Sequence, residues 1–232
     1  MPSPKNDTFV DEVGERLRGT VEEIKPKLRG WLHAATAPLA LISFLVMLVL
    51  ADSLAARAGA AVFMLSALLL FGVSAVYHTV PWRERAKRAL KRLDHANIFV
   101  MIAGSYTPFS LLLLEKQQTI VLLSLVWGGA LLGVLFKVFW LGAPRWVYVP
   151  LYLALGWAAL IYLPDFMAAA STTVFVMLSL GGLFYTVGAM VYAFKWPNPN
   201  PRWFGYHEVF HALTIAAFIV HYIGVSFLVY TS

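Results

Sequence analysis

The stretch HEVFHALTIAAFIVHYIGVSFLVY, His207 to Tyr230, decides how the rest of the chain is read. Apart from Glu208 and three histidines it holds only apolar, small or hydroxyl-bearing side chains. As a helix rising about 1.5 Å per residue, it is long enough to cross a hydrocarbon core of about 30 Å. Six earlier stretches share this character, at Trp31 to Ala51, Ala58 to Val80, Leu93 to Leu114, Thr119 to Leu141, Trp146 to Leu163 and Ser171 to Phe194. The composition agrees: of 232 residues, 60% are hydrophobic and 13% charged, against roughly 45–50% and 25% in soluble domains. An ordinary soluble enzyme and a disordered or collagen-like chain are thereby excluded. The expected fold is an all-α integral membrane protein, a seven-transmembrane helix bundle with a short amphipathic amino-terminal helix. Residues 1–30 form a polar head, residues 31–232 form the membrane domain, and no separate soluble domain fits between spans.

The net charge of +6 reads as topology and not as a nucleic-acid footprint. Arg16, Arg18, Lys25, Lys27 and Arg29 of the head fall on one side. With them fall Arg83, Arg85, Lys87, Arg88, Lys91 and Arg92 before the third span, then Arg145, Lys195 and Arg202. The connections on the opposite side hold only Arg57 and Lys116. Such an imbalance places the amino terminus in the cytoplasm and the carboxyl terminus outside, with the chain in the cell's inner (plasma) membrane. The head has no apolar core of signal-peptide length, so the first span is expected to remain in the mature protein. Within the head, Val10, Val13, Leu17, Val21, Ile24 and Leu28 recur at steps of three and four. That spacing predicts a helix lying on the inner leaflet, weakened by Gly19 and Pro26; a tethered tail is the alternative.

Ionisable groups inside membrane helices are costly and usually have a role. With no cysteine in the chain, any metal must be held by histidine and carboxylate. Ser74 and His78 in SAVYH stand four residues apart at the charged end of the second span, and His207 and His211 do so at the same end of the seventh. Histidines at i and i+4 project from one helix face and suit two corners of a tetrahedral zinc site. His78 has the chemistry and depth for a third ligand, which would leave one position open, as in catalytic zinc sites. Asp94, at the start of the third span, could hold or deprotonate a water there, and Ser74 could bond that water, Asp94 or a substrate oxygen. The plain alternatives are a polar contact for the histidine pair, a helix-start cap for Asp94 and a hydroxyl bonded to its own backbone for Ser74.

HEVFH also matches H-E-x-x-H, in which the glutamate of a zinc protease is the general base. Its alternative is that Glu208 is a solvated or capping acid in the first helical turn. Asp165 falls on the far side and cannot complete a site. His95 points about 100° away from Asp94 around the helix and reads as packed or interfacial. His33 reads as interfacial, His221 as a hydrogen-bonding residue of the bundle and Lys137 as a snorkelling cation. Pro108 and Pro150 are expected to distort their helices, and Gly128, Gly129, Gly133, Gly181 and Gly182 to permit close contact between helices.

SAVYH, then LDHANIFVMIAGSYTPF (Leu93 to Phe109), then HEVFHALTIAAFIVH, on the second, third and seventh of seven spans, together resemble the bacterial hemolysin III branch of the progestin and adipoQ receptor (PAQR) family. The resemblance runs from about His33 onward. It implies a zinc ion near the inner leaflet held by His78, His207 and His211, with Asp94 associated with the zinc-bound water and Ser74 as the motif serine. The wider superfamily includes alkaline ceramidases, which implies hydrolysis of a lipid amide. Zn2+ is therefore the expected cofactor, and a membrane lipid or lipid-like molecule the expected substrate. Two rival functions stand beside the zinc-dependent hydrolase: a receptor-like or membrane-homeostasis protein with structural zinc, and a cytolysin, as the hemolysin name implies.

Overall fold

Hydroxyl and carboxylate caps start the helices at one end of the bundle. Ser53 accepts from Ala56 N–H, Ser171 accepts from Val174 N–H, and Glu115 and Gln118 form a reciprocal capping box. The computed structural model describes residues 28–231. Its helices are α1 (Trp31–Leu50), α2 (Leu54–Thr79), α3 (Glu84–Leu113), α4 (Lys116–Phe139), α5 (Arg145–Gly156), α6 (Leu163–Ala169), α7 (Thr172–Phe194) and α8 (Tyr206–Thr231). A 3-10 turn, Ala158–Tyr162, joins α5 to α6. Counting α5 to α6 as one crossing, seven helical segments are long and apolar enough to span a membrane. The amphipathic head helix expected ahead of Leu28 lies outside the described residues.

α3 is the axis of the bundle. It packs against α2, α4, α5, α6 and α8 and is the most buried of the spans. Close approach is bought with small residues: a Cβ at Gly133 would overlap the Phe99 ring, and one at Gly129 would lie 2.8 Å from Leu155 Cδ1. Gly128 and Gly182 face open space, so only part of the expected glycine set serves packing. Phe44, Phe63, Phe71 and Phe218 interlock edge to face between α1, α2 and α8. Leu39, Ile42 and Val49 of α1 and Leu131 and Leu132 of α4 are exposed, as sides solvated by lipid require.

Two boundaries differ from the sequence expectation. The third span was expected to begin at Leu93, but the helix begins at Glu84, and its first turns carry Arg85, Lys87, Arg88, Lys91 and Arg92, expected ahead of the span. The fifth crossing was expected to end at Leu163 with Pro164 to Ala170 as connection. Instead Leu163–Ala169 is helical, with Pro164 in its first turn, where its missing N–H is no loss. Helices run through Pro108 and Pro150 alike. The actual interruption of the fifth crossing comes after Gly156, and Tyr106 of α3 sits in it: its hydroxyl donates to Gly156 O at 2.6 Å and accepts from Ala159 N–H at 2.8 Å. A side chain inserted into the backbone ladder is a recognised cause of a helix break.

Tyr106→Phe keeps the ring and strands both backbone groups, so it should lower stability by roughly 1–3 kcal/mol. Thermal unfolding in detergent checks this, and an unchanged transition would mean that the hydroxyl is dispensable.

Candidate metal centre

His78 comes from the last turn of α2, and His207 and His211 from the first turns of α8. One ligand nitrogen from each lies within 4.8 Å of the others. A tetrahedral zinc ion with Zn–N bonds of about 2.0–2.1 Å needs nitrogens about 3.3 Å apart, so the three rings would have to draw closer around it. Burial makes the grouping hard to explain as ordinary hydrogen bonding. His211 is 2% exposed, and neither His211 Nδ1 nor His207 Nε2 has a hydrogen-bond partner among the described residues. Buried polar atoms are normally satisfied, and a cation would satisfy these. The donor set therefore fits zinc.

Asp94, from α3, has its Oδ2 3.9 Å from His78 Nε2 and 3.7 Å from His95 Nδ1. These separations are too long for direct hydrogen bonds and suit bridging by water. Ser74, one turn before His78, lies beside the Asp94 carboxylate, and its buried hydroxyl has no hydrogen bond of ordinary geometry among the described residues. Two interhelical bonds fix the stretch of α3 that carries Asp94. Asn97, one turn further along α3, donates to Leu69 O of α2 at 2.8 Å, and Tyr152 of α5 donates to His95 O at 3.0 Å. All five sequence-nominated residues thus meet at one end of the bundle. Arg145 is nearby, donating to Tyr192 O and stacked over the Tyr192 ring, which itself packs on His207.

Three residues differ, wholly or in part, from the sequence expectation. His33 was read as interfacial, but it is 2% exposed and stacked on His211, with ring centroids 3.9 Å apart and planes 9° from parallel. Phe71 packs edge-on behind it. The Leu28–Gly30 entry to α1 turns His33 inward: Gly30 takes φ 87°, and a Cβ there would lie 2.6 Å from His78 Cβ. Glu208 was read as solvated or capping, or as a protease base. It caps Gly205 N–H at 2.9 Å, but it is fully buried, and its other oxygen accepts from Arg29 Nε at 2.8 Å. Both carboxylate oxygens are committed away from the histidines, which leaves the base reading without support. Lys137 does not snorkel; it is 1% exposed, with its ammonium 3.7 Å from the Tyr148 ring centroid. His95 is packed as expected but also bonded, donating from Nδ1 to Lys91 O at 2.8 Å. His221 is a bundle hydrogen-bonding residue as read, and Asp165 is occupied at the far end by Gln118. Only the helical register of His33, three residues past the glycine, hinted at its inward position.

A cavity of about 240 Å³ opens from this cluster between α2, α3, α5, α7 and α8. His33, Ser74, Asp94, His207 and His211 line its head, and below them the walls are mainly apolar, with Met101, Val149 and Phe175 among the lining residues.

The family model described as "Haemolysin-III related" matches residues 21–222. The chain is 37% identical to the "Hemolysin-3 homolog" of Bacillus subtilis (strain 168) over 134 residues, 58% of this chain and 62% of that protein, so the match spans about three fifths of that relative. It is 25% identical to "Hemolysin-3" of Bacillus cereus over 82% of this chain and 88% of that one. It is 28% identical to the "Adiponectin receptor protein" of Drosophila melanogaster over 71% of this chain and 41% of that one.

Glu208→Ala should destabilise the fold by roughly 1–3 kcal/mol, because Arg29 and Gly205 N–H lose their acceptor. Metal content of the folded variant should match the parent. Loss of metal at unchanged stability, measured by thermal unfolding and elemental analysis together, would return Glu208 to the metal centre.

Proposed function

Because the chain belongs to the haemolysin-III related family, we propose that it is a zinc-dependent membrane hydrolase acting on a lipid amide. The observation that supports this reading is the continuity of the histidine cluster, Asp94 and Ser74 with a largely apolar cavity. An amphiphile entering that cavity puts its chain along the apolar walls and its polar head against the cluster. We further propose that this end faces the cytoplasm across the inner membrane, since Arg29 and Arg145 lie there and the basic residues of α3 begin there.

His78, His207 and His211 would hold the ion. Zinc so held supplies Lewis acidity, polarising a carbonyl and making water more acidic. The chain's own residues do the rest. Asp94, on the stretch of α3 fixed by the Asn97 and Tyr152 bonds, accepts the proton of the attacking water and can return it to the leaving amine. Ser74 donates to Asp94 or to a substrate oxygen, orienting the carbonyl for attack. His33 covers one face of His211 and keeps its ring plane fixed.

The purified chain should carry one zinc per molecule, and His207→Ala should lose it. Fatty acid release from ceramide-like substrates should fall at least about a hundredfold in Asp94→Ala, the scale of a general base. Metal-loaded protein without turnover on a lipid panel would defeat the hydrolase. A second reading is a receptor-like protein with structural zinc, favoured by the closed stack of His33 on His211 and by the likeness to a protein named an adiponectin receptor. In that case His78→Ala lowers thermal stability while Asp94→Ala leaves biological activity intact.

A further inference from the structure

About 15 Å further along α8 from His211 the cavity becomes polar again. His221 is 6% exposed, and its Nε2 lies 3.1 Å from Leu178 O. A carbonyl oxygen only accepts, so in the neutral ring Nε2 carries the proton and Nδ1 is a bare acceptor. That Nδ1 is buried with no hydrogen-bond partner among the described residues. Tyr185 of α7 packs beside it at a ring-centroid distance of 5.6 Å, and its hydroxyl is also buried and without a partner among the described residues. Both residues line the cavity that begins at the histidine cluster.

The surroundings hold this pair in place. A side chain at Gly181 would overlap the His221 ring, so only glycine lets the imidazole lie against α7. Phe109 packs edge-on to the same ring at 5.5 Å. The Leu178 carbonyl fixes the tautomer. An acceptor and a hydroxyl free to donate, on rings with centroids 5.6 Å apart in a largely apolar cavity, are complementary to one group in particular. A methylene satisfies neither atom, a ketone satisfies only Tyr185, and a hydroxyl donates to one while accepting from the other.

We propose that Tyr185 and His221 form a subsite for a hydroxyl partway along the acyl chain of the bound lipid, which donates to His221 Nδ1 and accepts from Tyr185 Oη. The inference rests on the reading of the cavity as an acyl-lipid site, and it deepens that reading from lipid to hydroxylated lipid.

The test compares oleate with ricinoleate, which differs by a mid-chain hydroxyl, binding at equilibrium to the full chain in detergent by native mass spectrometry. Ricinoleate should bind about tenfold more tightly, the scale of a buried hydrogen bond. Tyr185→Phe, which removes one oxygen and keeps the ring, should cut the ricinoleate preference about threefold, because His221 Nδ1 still accepts, and leave oleate unchanged; an undiminished preference overturns the subsite. Equal affinity of the wild-type chain for the two, as when the two atoms merely share a water, overturns the subsite and leaves the acyl-lipid reading standing. Binding of neither overturns both. Because turnover is not measured, a chain that hydrolyses nothing but prefers ricinoleate would still carry the subsite.

Discussion

An imidazole buried in a membrane bundle has no bulk water to bond, and His78, His207 and His211 each bring one ring nitrogen to within 4.8 Å of the others. That constraint governs the head of this bundle. α2 and α8 must deliver rings to one depth, which requires α1 to pass closely beside both, and α1 does so by starting on a left-handed glycine pressed against His78. The Arg29–Glu208 bond ties that entry to the first turn of α8. Packing, capping and ion pairing at this end therefore all bear on where three nitrogen atoms lie.

Beyond the three histidines, the polar groups inside the bundle are sparse among the described residues and mostly paired off in ways that keep helices in register. Tyr222 reaches Ser43 O, Tyr152 reaches His95 O, and Asn97 reaches Leu69 O, each binding one helix to the backbone of another. Against that background the buried atoms without a hydrogen-bond partner among the described residues stand out because most lie along one channel. Ser74, His33, His207 and His211 are at its head and Tyr185 and His221 lower down. The cavity is thus amphiphilic along its length, a property that no single helix possesses.

The bundle was legible because each span declares itself by length and apolarity alone, with no need of long-range information. His78, His207 and His211 were legible because spacing of four residues puts groups on one helix face, and because the three motifs keep their order. Asp94 and Ser74 followed from their depth. What escaped is what depends on partners distant in sequence. His33 near a span end looks interfacial until Gly30 turns it inward. Glu208 caps Gly205 N–H as one alternative had it, but its burial and its bond to Arg29, from the other end of the chain, were not visible in the sequence. Lys137 looks like a snorkelling cation until a tyrosine from α5 covers it. The broken fifth crossing was hidden for the same reason, since proline marks a weak point in sequence but the break is held by a hydroxyl from α3.

The short entry to α1 also sets a limit on how far the chain can be trimmed. Leu28 N–H bonds Trp203 O at 3.4 Å, Arg29 neutralises Glu208, and Gly30 abuts His78. A shortened form beginning at Trp31 would keep every span and lose the clasp over the histidines. Its hydropathy profile would look intact, so the damage would show in the stability of that end of the bundle and in the placement of His33 and His78, not in the profile.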